Sequence, residues 1–235
     1  MKVMAINSSP NMDKGNTALI FTPFLEGVKE AGAKVELFYT ERLKINPCQG
    51  RFYCVLKTPG KCFQKDDMQM LHPKLLDADL WVFATPVYVS GVTGPMKNLM
   101  DRMLIPMGQR FLELRDGHSH HPIREGVKHG KVVLVSSCGY WEMDNFDLLV
   151  AHMKALCFHA EREYAGALLR PHGPVLKSMM EKGAPVNDIF DAAKKAGGQL
   201  VIDGMISPEN LKIISRELIP LKTYIYGTSG GESSS

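Results

Sequence analysis

Val3-Met4-Ala5-Ile6-Asn7-Ser8-Ser9-Pro10-Asn11-Met12-Asp13-Lys14-Gly15-Asn16-Thr17 is the stretch on which the reading of the fold turns. Residues 3–6 form a short apolar run ended by polar residues and Pro10, the pattern of a parallel strand buried on both faces. The polar stretch 7–15 reads as a loop. Beyond it Thr17, Ile20, Phe21, Phe24 and Val28 recur at helical spacing, and Ala31-Gly32-Ala33 stops that helix. Residues 35–39 read as a second strand. Strand, loop, helix, strand is one βαβ unit.

The alternation continues outward from there. Residues 80–85 form a third buried strand, closed by Pro86-Val87-Tyr88. Pro95 opens a helix with Val92, Met96, Leu99, Met100 and Met103 on one face. Residues 132–135 are a fourth strand, ending in Ser136-Ser137-Cys138-Gly139, and Phe146, Leu149, Val150, Met153 and Leu156 mark the helix after it. A weaker strand is expected over 164–168, and Ile189, Ala192, Ala193, Ala196 and Leu200 mark a last helix. A further helix over 67–76 contains Pro73, which should kink or shorten it. Two segments, 41–67 and 106–130, fit neither period and are expected to be long irregular loops. The domain so defined is residues 1–204; 205–226 reads as an extension packed on the body or on another subunit, and 227–235, rich in Gly and Ser, as a disordered tail. Alternating strands and helices give a doubly wound parallel sheet, in which ligands sit beyond the carboxyl ends of the strands. The loops after strands one, three and four are therefore the place to look for chemistry.

Composition narrows the field. The 235 residues are 45% hydrophobic and 23% charged, as in an ordinary globular protein able to bury a core without staples. No apolar run approaches the roughly 20 residues a membrane helix requires, and no secretory leader is legible at the start. Five cysteines, an odd count, argue against a disulfide framework and for a reducing cytoplasm. A formal charge of +3 without a basic stripe argues against nucleic acid.

In the first loop Ser9 and Thr17 supply hydroxyls, Gly15 lets the chain bend tightly, and the helix start offers free N–H groups, together a cradle for an anion. The same residues also fit a plain capped helix after a polar turn. The loop lacks G-x-G-x-x-G and G-K-[ST], so it is neither a dinucleotide fingerprint nor a Walker loop, and a phosphomonoester is the better fit. Asn11 and Asn16 complete the candidate set of this loop.

Ser9-Pro10 followed by Gly15-Asn16-Thr17 resembles the FMN phosphate loop of the NAD(P)H-dependent FMN reductases. Thr85-Pro86-Val87-Tyr88, with Gly94, Lys97 and Asp101-Arg102, is similar to that family's second signature. The family's usual pattern has Arg where this chain has Asn11, leaving that phosphate contact to hydroxyls and amides. The resemblance implies a flavodoxin-like fold, a five-stranded sheet in order 2-1-3-4-5 with helices on both faces. It implies an oxidoreductase that passes hydride from NADPH or NADH through FMN to a quinone, nitroaromatic, metal ion or protein, and a homodimer or homotetramer. An electron carrier of flavodoxin or iron–sulfur flavoprotein type is the alternative. Pro86, Val87 and Tyr88 would run beside the flavin ring. Ser137, Cys138 and Gly139 occupy, by topology, the place of a third flavin-contacting loop, and Gly139 permits close backbone approach.

Cys48, Cys54 and Cys62 lie in a segment that resembles the cluster loop of iron–sulfur flavoproteins, with Arg51 where a second cysteine would stand. Three thiolates fall short of the four-cysteine shell of a [4Fe–4S] cluster, so no metal is expected. Arg51, as a cation near the pyrimidine edge of a flavin, and Tyr88 are candidate modulators. The imidazole-dense run Asp116-Gly117-His118-Ser119-His120-His121-Pro122 reads as a solvated loop.

Overall fold

The computed structural model describes residues 1–227, the side chain of Ile105 apart. Its sheet is built from β1 (Lys2–Asn7), β2 (Lys34–Tyr39), β3 (Leu80–Pro86), β6 (Lys131–Ser137) and β7 (Glu163–Arg170), all parallel, in the order β2-β1-β3-β6-β7. Two short strands, β4 (Glu113–Arg115) and β5 (His118–His120), form a separate antiparallel hairpin. With that hairpin set aside, the order is the expected 2-1-3-4-5.

Strand alternation sorts the core into two layers, because successive side chains point to opposite faces. Val3, Ala5, Leu80, Val82, Ala84, Val133 and Val135 face one layer, together with α1 (Ala18–Glu30) and α7 (Asn187–Ile202). Met4, Ile6, Trp81, Phe83, Val132 and Leu134 face the other, under α3 (Met68–Asp77), α4 (Gly94–Leu104) and α5 (Asp147–Ala160). Both faces are covered, which is why the inner strands read as continuous apolar runs rather than alternating ones.

Several expectations need correction. The 41–67 segment contains a helical turn, α2 (Tyr53–Leu56). The 106–130 segment contains the β4–β5 hairpin, turned by Asp116 and Gly117 at φ +48° and +78°. Asp-Gly is a strong signal for such a two-residue turn, but its flanks are too polar to look like strands. Pro73 neither ends α3 nor cuts it off early: the helix runs on to Asp77, held down by buried Met68, Leu71 and Leu75. Helix α6 (Gly173–Glu181) was not anticipated. Within the 205–226 extension α8 (Pro208–Ser215) puts Ile214 into the same core as α7, and α9 (Leu221–Gly227) follows it. Except for Gly227, the expected disordered tail lies outside the described residues. No described helix is long and apolar enough to cross a membrane.

Candidate functional site

The register fixes where the site must be. Asn7 lies beside Ala84, Pro86 beside Ser137, and Ser137 beside Arg170, so the strands β1, β3, β6 and β7 end at one edge of the sheet. The loops after them converge there.

The first loop is shaped from within. Buried Asn7 accepts a hydrogen bond from the Ser9 amide at 2.8 Å, a side-chain turn that folds the chain back at once. The Ser8 amide and hydroxyl both donate to the Ala84 carbonyl, at 2.8 and 3.2 Å, and moor the loop to β3. Gly15 serves a different purpose from the tight bend expected of it. Its φ of −79° suits any residue, but a Cβ there would lie 2.5 Å from Ser9 Oγ. A side chain there would force Ser9 Oγ to turn away, because the loop closes on itself. Thr17 makes no capping hydrogen bond to its helix; its hydroxyl instead meets Ser137 Oγ at 2.7 Å. That observation sets aside the plain capped-helix reading for Thr17. Ser9 is buried, Asn16 half-buried and Asn11 exposed.

The second loop carries backbone strain. After Pro86 and Val87, Tyr88 and Gly91 exchange two backbone hydrogen bonds of 3.0 Å around Val89 and Ser90, whose φ values are +47° and +61°. A β-branched residue in the left-handed region costs on the order of 1–3 kcal/mol and persists only where the surroundings impose it, commonly at ligand sites. Thr85, fully buried, braces the turn by accepting from the Thr93 amide at 3.2 Å. Tyr88 is half exposed at its rim. The Val87 amide donates to the Ser137 carbonyl at 2.9 Å, joining the second loop to the third.

In the third loop Ser137 and Cys138 are buried, and burial pushes the Cys138 thiol above its usual range, so it is not a ready thiolate. A Cβ added to Gly139 would meet nothing within 4 Å; this residue borders open space. A flat ring needs such a bare backbone edge.

A fourth loop, after β7, was not foreseen. Arg170 is fully buried and donates to the carbonyls of Ile214 and Arg216, each at 2.7 Å. His172 adopts φ +39°, accepts from the Leu218 amide at 3.2 Å and stacks on Trp141. Burial and the neighbouring Arg170 charge pull its pKa down to about 4. Gly173 donates its amide to the Cys138 carbonyl at 2.9 Å. A Cβ on it would lie 3.2 Å from Asn16 Cβ and 3.4 Å from Ser137 Cβ. Over this corner α9 places Tyr224, whose hydroxyl donates to the Gly139 carbonyl, and Trp141 Nε1 donates to the Ile219 carbonyl at 2.9 Å. His172-Gly173-Pro174 was the one trace of this loop in the sequence.

The cysteine segment follows β2, whose last residue, Tyr39, lies beside Asn7 at the same edge of the sheet. Asp66 and Arg102, both fully buried, form an ion pair at its base, and Asp66 also accepts from the Asn46 amide at 2.9 Å. Burial alone would raise the Asp66 carboxyl, but Arg102 and the Asn46 amide outweigh it and hold it below the usual range. Cys48 is exposed; Cys54 and Cys62 are half-buried, and Arg102 donates to Cys62 Sγ at 3.4 Å. The Cys54 thiol is raised by burial first, and then by the charges of Cys62 and Cys48. Among the described residues no three thiols lie close enough together to share a metal ion. Cys138 sits in the third loop, and Cys157 lies on the buried face of α5, its thiol pushed up to about 12. Arg51 lies over the Phe63 ring, 6.0 Å from its centre. The residues present do not fit a four-thiolate iron–sulfur shell.

His120 corrects the expectation of a wholly solvated histidine loop: it is buried, with Nε2 at 2.9 Å from Glu161 Oε1, which also accepts from the Ile123 amide at 2.8 Å. Its carboxylate partner comes from the turn after α5, a distance in sequence that no local spacing reveals.

The chain belongs to the NADPH-dependent FMN reductase family, whose pattern matches residues 1–159. It is 42% identical over 102 residues to an iron–sulfur flavoprotein of Methanocaldococcus jannaschii, covering 43% of this chain and 50% of that one. The chain thus spans about half the length of the curated relatives it matches. Among solved structures it is similar to an NAD(P)H:quinone oxidoreductase of Methanothermobacter marburgensis, with a TM-score of 0.60, 19% identity, and 85% and 96% of the two chains covered. It is also similar to an FMN-dependent NADH-azoreductase of Bacillus anthracis in complex with FMN, with a TM-score of 0.61, 15% identity, and 86% and 100% covered. At these identities the structures speak for the flavodoxin-like fold.

Proposed function

We propose that the protein is an FMN-dependent NAD(P)H oxidoreductase whose flavin lies along the four-loop edge. The observation that carries this reading is the Thr17–Ser137 hydroxyl pair at 2.7 Å, which joins the first loop to the third across the sheet edge instead of capping a helix. The chemistry FMN supplies when bound is acceptance of a hydride from NADPH or NADH and its onward transfer to a quinone, nitroaromatic, metal or protein acceptor. The chain's part is to bind, orient and exclude water. Ser9, Asn11, Gly15, Asn16 and Thr17 would hold the phosphate with hydroxyls and amides, using the helix start for the rest. Pro86, Val87 and Tyr88 would present backbone groups and an aromatic wall to the ring, with the strained turn at Val89 and Ser90 fixing their approach. Ser137, Cys138 and Gly139 would line the other side. No side chain is needed as acid or base, and the raised thiol of Cys138 stays protonated and passive.

Five free cysteines suit a reducing cytoplasm. Self-association as a dimer or tetramer is part of the proposal, supported by exposed Phe52, Leu56 and Leu114. Arg51 retains a modulating role only if Arg51→Ala shifts the flavin potential or the NADPH affinity. The reading is tested by anaerobic mixing of the FMN-loaded protein with NADPH and with NADH. Rapid loss of the flavin's visible absorbance with one of them is expected; a spectrum unchanged by both would contradict it.

A further inference from the structure

A phosphomonoester brings a charge approaching −2 at neutral pH, and the first loop meets it with little net charge of its own. Ser9, Asn11 and Asn16 are neutral, and Asp13 offsets Lys14. Arg42 sits over the ring of Tyr39, the partner of Asp13, and a second cation from a distant part of the chain hydrogen-bonds to the loop's own backbone. Lys177, on α6, donates from Nζ to the Lys14 carbonyl at 3.2 Å.

The fold sets that reach. Gly173 begins α6 in contact with Asn16 and Ser137, close enough that even a Cβ would crowd them. Its amide is tied to the Cys138 carbonyl. The first turn of α6 therefore rests against the cradle, and Lys177, four positions on, stands one turn away on the same side as the loop. The residue is half-buried, and its ammonium makes this bond at the exposed rim of the loop. A backbone carbonyl is a modest partner for an ammonium group, whereas a phosphate oxygen gives a charge-assisted bond about twice as strong. Lysine's flexible stem and compact charge allow the exchange of one for the other.

We propose that Lys177 is the cation that binds the FMN phosphate, supplied by α6, the helix that follows β7 at the same edge of the sheet. This rests on the reading that the first loop holds FMN. Riboflavin, the same ring without the phosphate, separates the two ideas. The apoprotein is titrated with FMN and with riboflavin, following flavin fluorescence, for the wild type, Lys177→Met, Lys177→Arg and Lys14→Ala. Lys177→Met should weaken FMN about 10-fold, equivalent to about 1.4 kcal/mol, and leave riboflavin unchanged. Lys177→Arg should restore most of the loss, and the salt dependence of FMN binding should flatten in the Met variant alone. Equal weakening of both flavins would mark Lys177 as merely structural, and unchanged FMN affinity would remove it from the site; either overturns the proposal while leaving the FMN reading intact. A wild type that does not prefer FMN to riboflavin would overturn the cradle reading itself, and this proposal with it.

Discussion

His172 sits neutral in a place where a proton would be unwelcome, beside the buried guanidinium of Arg170 and under the indole of Trp141. Its folded pKa of about 4 lies below the ordinary 6.5. Between those values the unfolded chain binds more protons than the folded one, so stability rises with pH through that window. The contribution of His172 is therefore complete above about 6.5 and is lost as pH falls toward about 4. Denaturant titrations at pH 7 and pH 4.5 should show a loss of up to roughly 3 kcal/mol from this group, and His172→Asn should reduce the pH dependence in that interval. Asp66 and Arg102 make a second residue-scale case. Asp66→Ala strands a guanidinium that has 1% side-chain exposure, and breaking such a pair costs about 3–5 kcal/mol; a stability unchanged in urea would deny the pair its role as the clamp of the cysteine loop. Neither case was legible in the sequence. Ser9, Gly15 and Thr17 could be picked out as candidates because they share one strand–loop–helix turn, although the partner of Thr17, Ser137, comes from the third loop. Asp66 and Arg102, or His120 and Glu161, meet only through the fold, and Lys177 belongs to a helix that was not anticipated.

At the scale of elements, α1 and α7 pack backbone against backbone through glycines. A Cβ on Gly197 would lie 2.0 Å from the Phe24 carbonyl, and one on Gly27 would lie 1.9 Å from that of Lys194. The two helix backbones touch. Gly→Ala inside a free helix stabilises by nearly ~1 kcal/mol, but here it must push the helices apart, and overpacking of this kind costs roughly 1–3 kcal/mol. Gly197→Ala should therefore lower the urea midpoint; a raised midpoint would show that the helices can separate at no cost. The main elements were readable because burial on both faces writes β1, β3 and β6 as unbroken apolar runs, and one-sided burial gives α1, α4 and α7 a clear helical period. What escaped was short or polar. The Asp116-Gly117 hairpin has no apolar face to betray it, and α6 starts on Gly173-Pro174, which reads as a break.

For the whole molecule, the edge at the carboxyl ends of the strands is the proposed FMN site. A ligand that binds only the folded chain adds about 2.7 kcal/mol at 100 times its dissociation constant, which for a protein of this size raises Tm by roughly 5–10 °C. Thermal scans with and without FMN should show that shift, and riboflavin should give a smaller one. Light scattering should find a dimer or tetramer, and Leu114→Glu should weaken it if the hairpin face takes part. The most direct test is a fluorescence titration of the apoprotein with FMN, wild type against Ser9→Asp, with circular dichroism confirming that the variant folds. A carboxylate placed in the cradle repels a phosphate and leaves the ring bed untouched. The account predicts one FMN per chain in the wild type and an affinity at least ~100-fold lower in the variant, in line with the cost of an unpaired like charge in a desolvated site. Equal binding by the two proteins, or no binding by the folded wild type, would contradict it.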